Sequence, residues 1–178
     1  MSAKWSVTGI AQAHFATYTD ARTGKRLIAD YLAFLGIPAF VALFASIMTA
    51  RGDFHLSDVT RLLGGIGVFT GLLFGLLTNT FTVSLRVRRD EGLDPEHVVV
   101  KLVAELFANL GWSVVVGCAL VSLIVAAGAT HTSEDVLGPW WTGVLVFLFL
   151  HLMMTVLMAL KRLWFAHQKI ADLPPKDK

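Results

Sequence analysis

The chain has 178 residues, 55% of them hydrophobic and 16% charged, against roughly half and about a quarter in an average soluble domain. Mean hydropathy is +0.65, and the apolar residues fall into four blocks punctuated by the charged clusters, which excludes one water-soluble core and marks an integral membrane protein. Four spans of about 20 residues leave fewer than about 100 for loops and tails, too few for a separate soluble catalytic domain, and the lone Cys118 inside an apolar run excludes an internal disulfide framework or a CxxC motif.

Residues 1–30 read as a cytoplasmic N-terminal segment. Tyr31–Ala50 carries no charge and follows Arg22, Lys25, Arg26 and Asp30, so a first span is predicted over about 31–50. It is too long, too late and too polar upstream for a cleaved signal peptide. Pro38 lies within it, where a kink is expected and neighbouring groups must satisfy the carbonyl that loses its N–H partner. A second span is predicted over about 62–85, closed by Arg86, Arg88 and Arg89. The third covers about 102–129, and Asp94, Pro95 and Glu96 predict a helix start well before it: a cap, a Pro at the first helical position and a first-turn acid. The fourth covers about 140–160, opened by Trp140 and Trp141 and stopped by Lys161 and Arg162, with 163–178 as a cytoplasmic tail.

Lys and Arg number four in the N-terminal tail, four in the middle loop and five in the C-terminal tail, 13 in all, while the other two loops hold only Arg51 and Arg61. The positive-inside rule then places both termini in the cytoplasm. The predicted fold is an all-α, multi-pass integral membrane protein with four transmembrane helices arranged as two hairpins.

The second span carries the clearest local pattern. Gly67, Gly71 and Gly75 recur every four residues, with Gly64 before them and Asn79 after them on one stripe. Small residues at this spacing let backbones approach closely. The stripe either assembles copies around an axis and lines a pore, or packs helices within one protomer. Thr78, Asn79, Thr80, Thr82 and Ser84 make the inner end of this helix polar, suiting a wet vestibule or bonds to neighbouring helices.

Glu105 and Asn109 share a face of the third helix, with Lys101 one turn earlier. Glu105 reads either as the partner of Lys101 or as part of a cation-attracting ring at a pore mouth. His151 lies near the middle of the fourth span, either neutral and bonded to a partner such as Ser113, Ser122 or Asn79, or at a pore constriction. The remaining histidines, His14, His55, His97, His131 and His167, fall in tails, loops or helix ends, so no depth-matched pair for haem is expected. No zinc-ligand spacing, nucleophile elbow or P-loop is present, and no catalytic residue, cofactor or metal is predicted.

The 13 cytoplasmic bases face nine acids, a net +4, while the outer loops total −2. Topology and anionic lipid explain most of this asymmetry. In a symmetric oligomer, Arg22, Lys25, Arg26, Arg86, Arg88, Arg89, Lys161 and Arg162 would also form a basic ring, with Tyr18, Trp164 and Phe165 as stacking platforms for a nucleotide or oligonucleotide.

Thr19, Asp20, Thr23, Gly24, Lys25, Asp30, Tyr31 and Pro38 form a polar turn running into a proline-bearing span. Over these first 40 residues and in its four-span architecture, the chain resembles the small membrane effectors of bacterial anti-phage defence, such as that of the Hailong system. The resemblance implies a homo-oligomeric channel, a tetramer, held closed by single-stranded oligodeoxyadenylate from a partner nucleotidyltransferase and depolarising the host when that DNA is lost. A membrane anchor for a soluble partner and a small transporter are the alternative readings.

Overall fold

The structure, a computed structural model, describes residues 6–18, 28–89, 97–131 and 135–171. Among these, every regular element is helical: α1 (Thr8–Ala16), α2 (Ile28–Tyr31), a π-helical segment (Leu32–Gly36), α3 (Ile37–Arg51), α4 (Val59–Arg89), α5 (Val98–Thr130) and α6 (Pro139–Ala171). Four stretches are long and apolar enough to cross a membrane: Ile28–Arg51, Arg61–Val87, Val98–Thr130 and Pro139–Gln168. Helices are the expected solution, because a chain in lipid must satisfy its own backbone polar groups.

The first of these stretches changes its winding partway. Pro38 has no N–H for the carbonyl of Phe34 four residues earlier, and the turn just before it widens into the π-helical segment. The helix then continues to Arg51 and ends at Gly52, whose left-handed backbone (φ 81°) lets the N–H groups of Gly52 and Asp53 bond to Thr49 and Met48. A side chain at Gly52 would be strained there.

Asp94, Pro95 and Glu96 lie outside the described residues. The third spanning helix starts at Val98 instead, because His97 is extended (ψ 138°) and its Nδ1 accepts the N–H of Val99 at 3.3 Å. His97 thus takes the capping role expected of Asp94.

The helices pack in the order α4, α5, α6, α3. α5 lies against α6, α3 on α6 and α4 on α5, and α3 and α4 make no direct packing contact although a short connection joins them. Between them runs an apolar groove of about 610 Å³, floored by Leu120, Ile124, Leu145 and Leu152. The connections at this end touch where the Leu137 N–H bonds the Leu56 carbonyl at 2.9 Å.

The main core joins α4, α5 and α6 through Leu73, Leu106, Leu110, Val116, Leu120, Ile124, Leu145, Leu152 and Ala159. Lipid tails are as apolar as these side chains, so close fit decides which surfaces meet. Two glycines provide it. At Gly117 of α5 a Cβ would lie 2.7 Å from Thr70 Oγ1 of α4, and at Gly143 of α6 it would collide with Ser46 Oγ of α3. Ser46 in turn donates to the Pro139 carbonyl at 2.9 Å.

The glycine stripe of α4 does none of this. Among the described residues, a Cβ at Gly64, Gly67, Gly71 or Gly75 would meet nothing within 4 Å. Thr70, Leu73 and Thr80 form the buried side of α4, whereas Gly64, Gly71, Gly75 and Asn79 are exposed on the other. Only 6% of the most apolar stretch of this helix is buried, against 44% for α5. Among the described residues, the stripe therefore makes no close contact within the protomer.

Candidate functional site

The polar groups of the bundle converge where α1 meets α5, α6 and the π-helical segment. α1 meets α5 around Asn109–Trp112, with Ile10 beside Gly111, His14 and Thr17 on Asn109, and Arg162 of α6 at the Thr17 carbonyl. Residues 8–18 are thus not a free tail. His14, Thr17 and Tyr18 are buried while Thr8, Gly9, Gln12 and Ala13 face outward, a polar and an exposed side on a helix of nine residues.

His14 is fully buried and uses both ring nitrogens. Nδ1–H donates to Asn109 Oδ1 at 2.9 Å, and Nε2 accepts the Tyr18 hydroxyl at 2.8 Å. This arrangement needs a neutral ring, assigned from its partners. Burial, opposed by the Asn109 bond and reinforced by His151 and Arg162, holds the His14 pKa down at about 4; burial likewise pushes the Tyr18 hydroxyl up, so it remains a donor. The His14 ring also stacks on Trp112, centroids 5.6 Å apart.

Asn109 is the hub. Its Oδ1 accepts from His14 and from Thr17 Oγ1 (3.1 Å), both on the α1 segment. Its Nδ2, wholly buried, has no partner among the described residues. A buried amide in this state is held in place by its satisfied oxygen alone.

His151 sits 6.3 Å from His14, ring to ring. Its Nδ1–H donates to the Phe34 carbonyl at 2.9 Å, and its Nε2 accepts the Trp112 indole N–H at 2.9 Å. The first bond is the finding the sequence left open: His151 of α6 supplies the donor that Pro38 denies to Phe34. Its partners are Trp112 and Phe34, not Ser113, Ser122 or Asn79. The pairing of His14 and His151 corrects the placement of His14 in a remote tail, and all four ring nitrogens of the pair are engaged by protein groups.

Glu105 forms an ion pair with Arg162 of α6, a partner on another helix that its own helix did not announce. The other Arg162 nitrogen, Nη2, donates to the Thr17 carbonyl at 2.8 Å, closing the C-terminal end of α1 as a cation suits a helix C-terminus. Arg162 is therefore turned inward, its side chain 15% exposed, and does not belong to an open basic ring. Beside it lies a mixed-charge recess of about 400 Å³, lined by Asp30, Phe34, Glu105, Lys161, Arg162 and Phe165.

The other basic residues are distributed differently. Arg86 and Lys161 are exposed, and Lys161 lies 6.0 Å from the centroid of the Phe165 ring. Arg88 and Arg89 close α4, their side chains outside the described part, and Arg22, Lys25 and Arg26 lie outside the described residues altogether. Among the described residues, Gly67, Gly71, Gly75, Asn79 and Arg86 form no common site with His151 and Glu105, whereas Arg162 pairs with Glu105 and Lys161 lines the same recess.

Sequence reasoning missed the roles of His14, Thr17 and Trp112, and it read Tyr18 as an open stacking platform, whereas that side chain is fully buried against His14. The usable signal was on α5, where Glu105 and Asn109 share one face of an apolar helix and so required a polar partner. Comparison of the chain with protein-family models, curated proteins and solved structures finds no match to any of them.

Proposed function

We propose that the protein is an oligomeric ion channel of a bacterial inner membrane, with both termini in the cytoplasm, acting as an effector in anti-phage defence. The observation that supports this reading is the open stripe Gly64, Gly67, Gly71, Gly75 and Asn79 on a membrane-spanning helix. Lipid gives neither a close-packing partner to a glycine ridge nor a hydrogen bond to an amide, whereas a second copy gives both. Copies meeting through α4, as in a homotetramer, bring the polar residues Thr78, Asn79 and Thr82 together near an axis.

The gating signal in this reading comes from the cytoplasm as a single-stranded oligonucleotide or nucleotide, the ligand implied by the resemblance of residues 19–38. Arg86 and Lys161 are exposed for it, with Trp164 and Phe165 as stacking surfaces. Arg22, Lys25, Arg26, Arg88 and Arg89 complete the basic set, and Arg162 leaves it.

The test is cation flux from liposomes holding the purified chain, alongside its oligomeric state in detergent. Gly71→Leu is expected to abolish both the oligomer and the flux with the protomer still folded, because nothing in the protomer opposes the added side chain. An unchanged oligomer removes the stripe from the interface. An oligomer that passes no current with or without oligodeoxyadenylate makes the protein an anchor, and uptake driven by a proton gradient makes it a transporter.

A further inference from the structure

α5 carries a polar seam on an otherwise apolar surface. Glu105, Asn109 and Trp112 follow one another at about one turn on one side of the helix, and His151 of α6 faces the same place. α1 lies over its Asn109 and Trp112 part. Ile10 covers Gly111, His14 covers Asn109 and stacks on Trp112, and Thr17 reaches Arg162.

A helix of nine residues has little stability of its own. Its hold on the bundle is concentrated at its C-terminal end, in the bonds from His14 and Thr17 to Asn109 and from Arg162 to the Thr17 carbonyl. The dependence is mutual. Both partners of the Asn109 oxygen come from α1 and the residue that follows it, so removal of α1 leaves a bare amide and uncovers the Trp112 ring beside the Glu105–Arg162 pair. Such a surface is stable only in contact with water.

We propose that α1 is a removable seal: seated, it covers Asn109 and Trp112, and withdrawn, it opens them to water next to Glu105, which is partly exposed already. Arg162 is the latch, because one guanidinium ties the α1 C-terminus to Glu105 of α5. As the gate of a conducting path, this device rests on the channel reading; as a seal over the seam, it does not.

A thiol at Gly111 tests the seal directly, since its Cβ would lie 3.5 Å from Ile10 Cγ2. The chain carries Gly111→Cys in a Cys118→Ser background, reconstituted in liposomes, and the rate of reaction with a charged methanethiosulfonate is measured. Arg162→Met is expected to raise that rate about tenfold, the effect of losing one charge-assisted bond from a seating equilibrium. His14→Phe, which keeps the ring stacking and removes both hydrogen bonds, is expected to raise it as well if Arg162→Met fails to fold. A rate unchanged in both variants, or already at the rate of an exposed thiol in the parent, overturns the proposal.

Flux then separates the seal from the channel. In the double variant Ile10→Cys with Gly111→Cys, oxidation ties α1 down, and flux is expected to be blocked until a reductant restores it. Flux that is equal before and after reduction refutes the gate. A tenfold rise in thiol reactivity with no flux under any condition supports the seal and refutes the channel.

Discussion

His151 replaces a missing backbone donor, and that substitution has a measurable signature. His151→Leu leaves the Phe34 carbonyl without a partner, because Pro38 has no N–H to offer, and also leaves the Trp112 indole unbonded. Interhelical hydrogen bonds in membrane proteins contribute about 0.6 kcal/mol on average and up to about 1.7, so two of them predict a loss of about 1–3 kcal/mol. The stacking of His151 on Phe147, centroids 5.9 Å apart, adds to it. Pro38→Ala returns an N–H four residues after Phe34 and lets the first turn wind as an ordinary helix. The double variant should therefore recover the share of the loss that belongs to Phe34, a coupling of at least about 0.5 kcal/mol. Unfolding in detergent with increasing sodium dodecyl sulfate, followed by helicity, measures all four corners of the cycle. Additivity of the two substitutions within about 0.3–0.5 kcal/mol would mean that His151 does not stand in for the absent N–H.

Gly117→Ala places a methyl 2.7 Å from Thr70 Oγ1 and should cost about 1–3 kcal/mol as overpacking, with Thr70→Ala restoring most of it in the same unfolding assay; Gly75→Ala, which meets nothing, should leave the protomer as stable as before or slightly more so. No cost at Gly117 would place the close approach of α4 and α5 elsewhere. The seating of α1 should also weaken in acid. His14 is buried neutral with its pKa near 4, facing Asn109, His151, Arg162 and Tyr18, while a released His14 titrates near 6.5. Proton uptake then favours release, so the contribution is complete above pH 6.5 and is lost as pH falls from 6.5 toward about 4, on the order of 3 kcal/mol in total. Amide hydrogen exchange of α1 in detergent should accelerate across this window and become flat in His14→Phe; exchange that is independent of pH once corrected for intrinsic rates would remove His14 from the fastening.

The four spanning helices are legible in the sequence because length, apolarity and flanking charge are one-dimensional signals, as Leu62–Leu85 before Arg86 illustrates. Which surfaces meet is not one-dimensional. The repeat Gly67, Gly71, Gly75 looks like a packing motif in either location, whereas the solitary Gly117 and Gly143, which carry the internal contacts, form no pattern at all. The packing of α3 on α6 is hidden for a similar reason, since a short connection sets the proximity of two helix ends and leaves the rest of α3 free to follow the fit at Gly143 and Ser46. In the polar cluster, the sequence marks who needs a partner without naming it. Pro38 announces a free carbonyl, Asn109 and Glu105 an uncovered polar face, and His151 a buried ring, but their meeting depends on helix order. α1 escapes recognition because nine residues between polar turns are too short for periodicity to register, even though His14 and Tyr18 stand one turn apart with polar groups directed to one side.

A cross-linking measurement on membranes bears most directly on whether α4 is where copies of the chain meet. In a Cys118→Ser background, single cysteines are placed by Gly67→Cys, Gly71→Cys and Gly75→Cys on the open stripe and by Leu73→Cys on the buried side, where Leu73 is 2% exposed. Mild oxidation in native membranes should join chains through the three stripe positions and leave the Leu73 position monomeric. Absence of cross-linking at all three stripe positions, or equal cross-linking at Leu73, would contradict an oligomer assembled through α4.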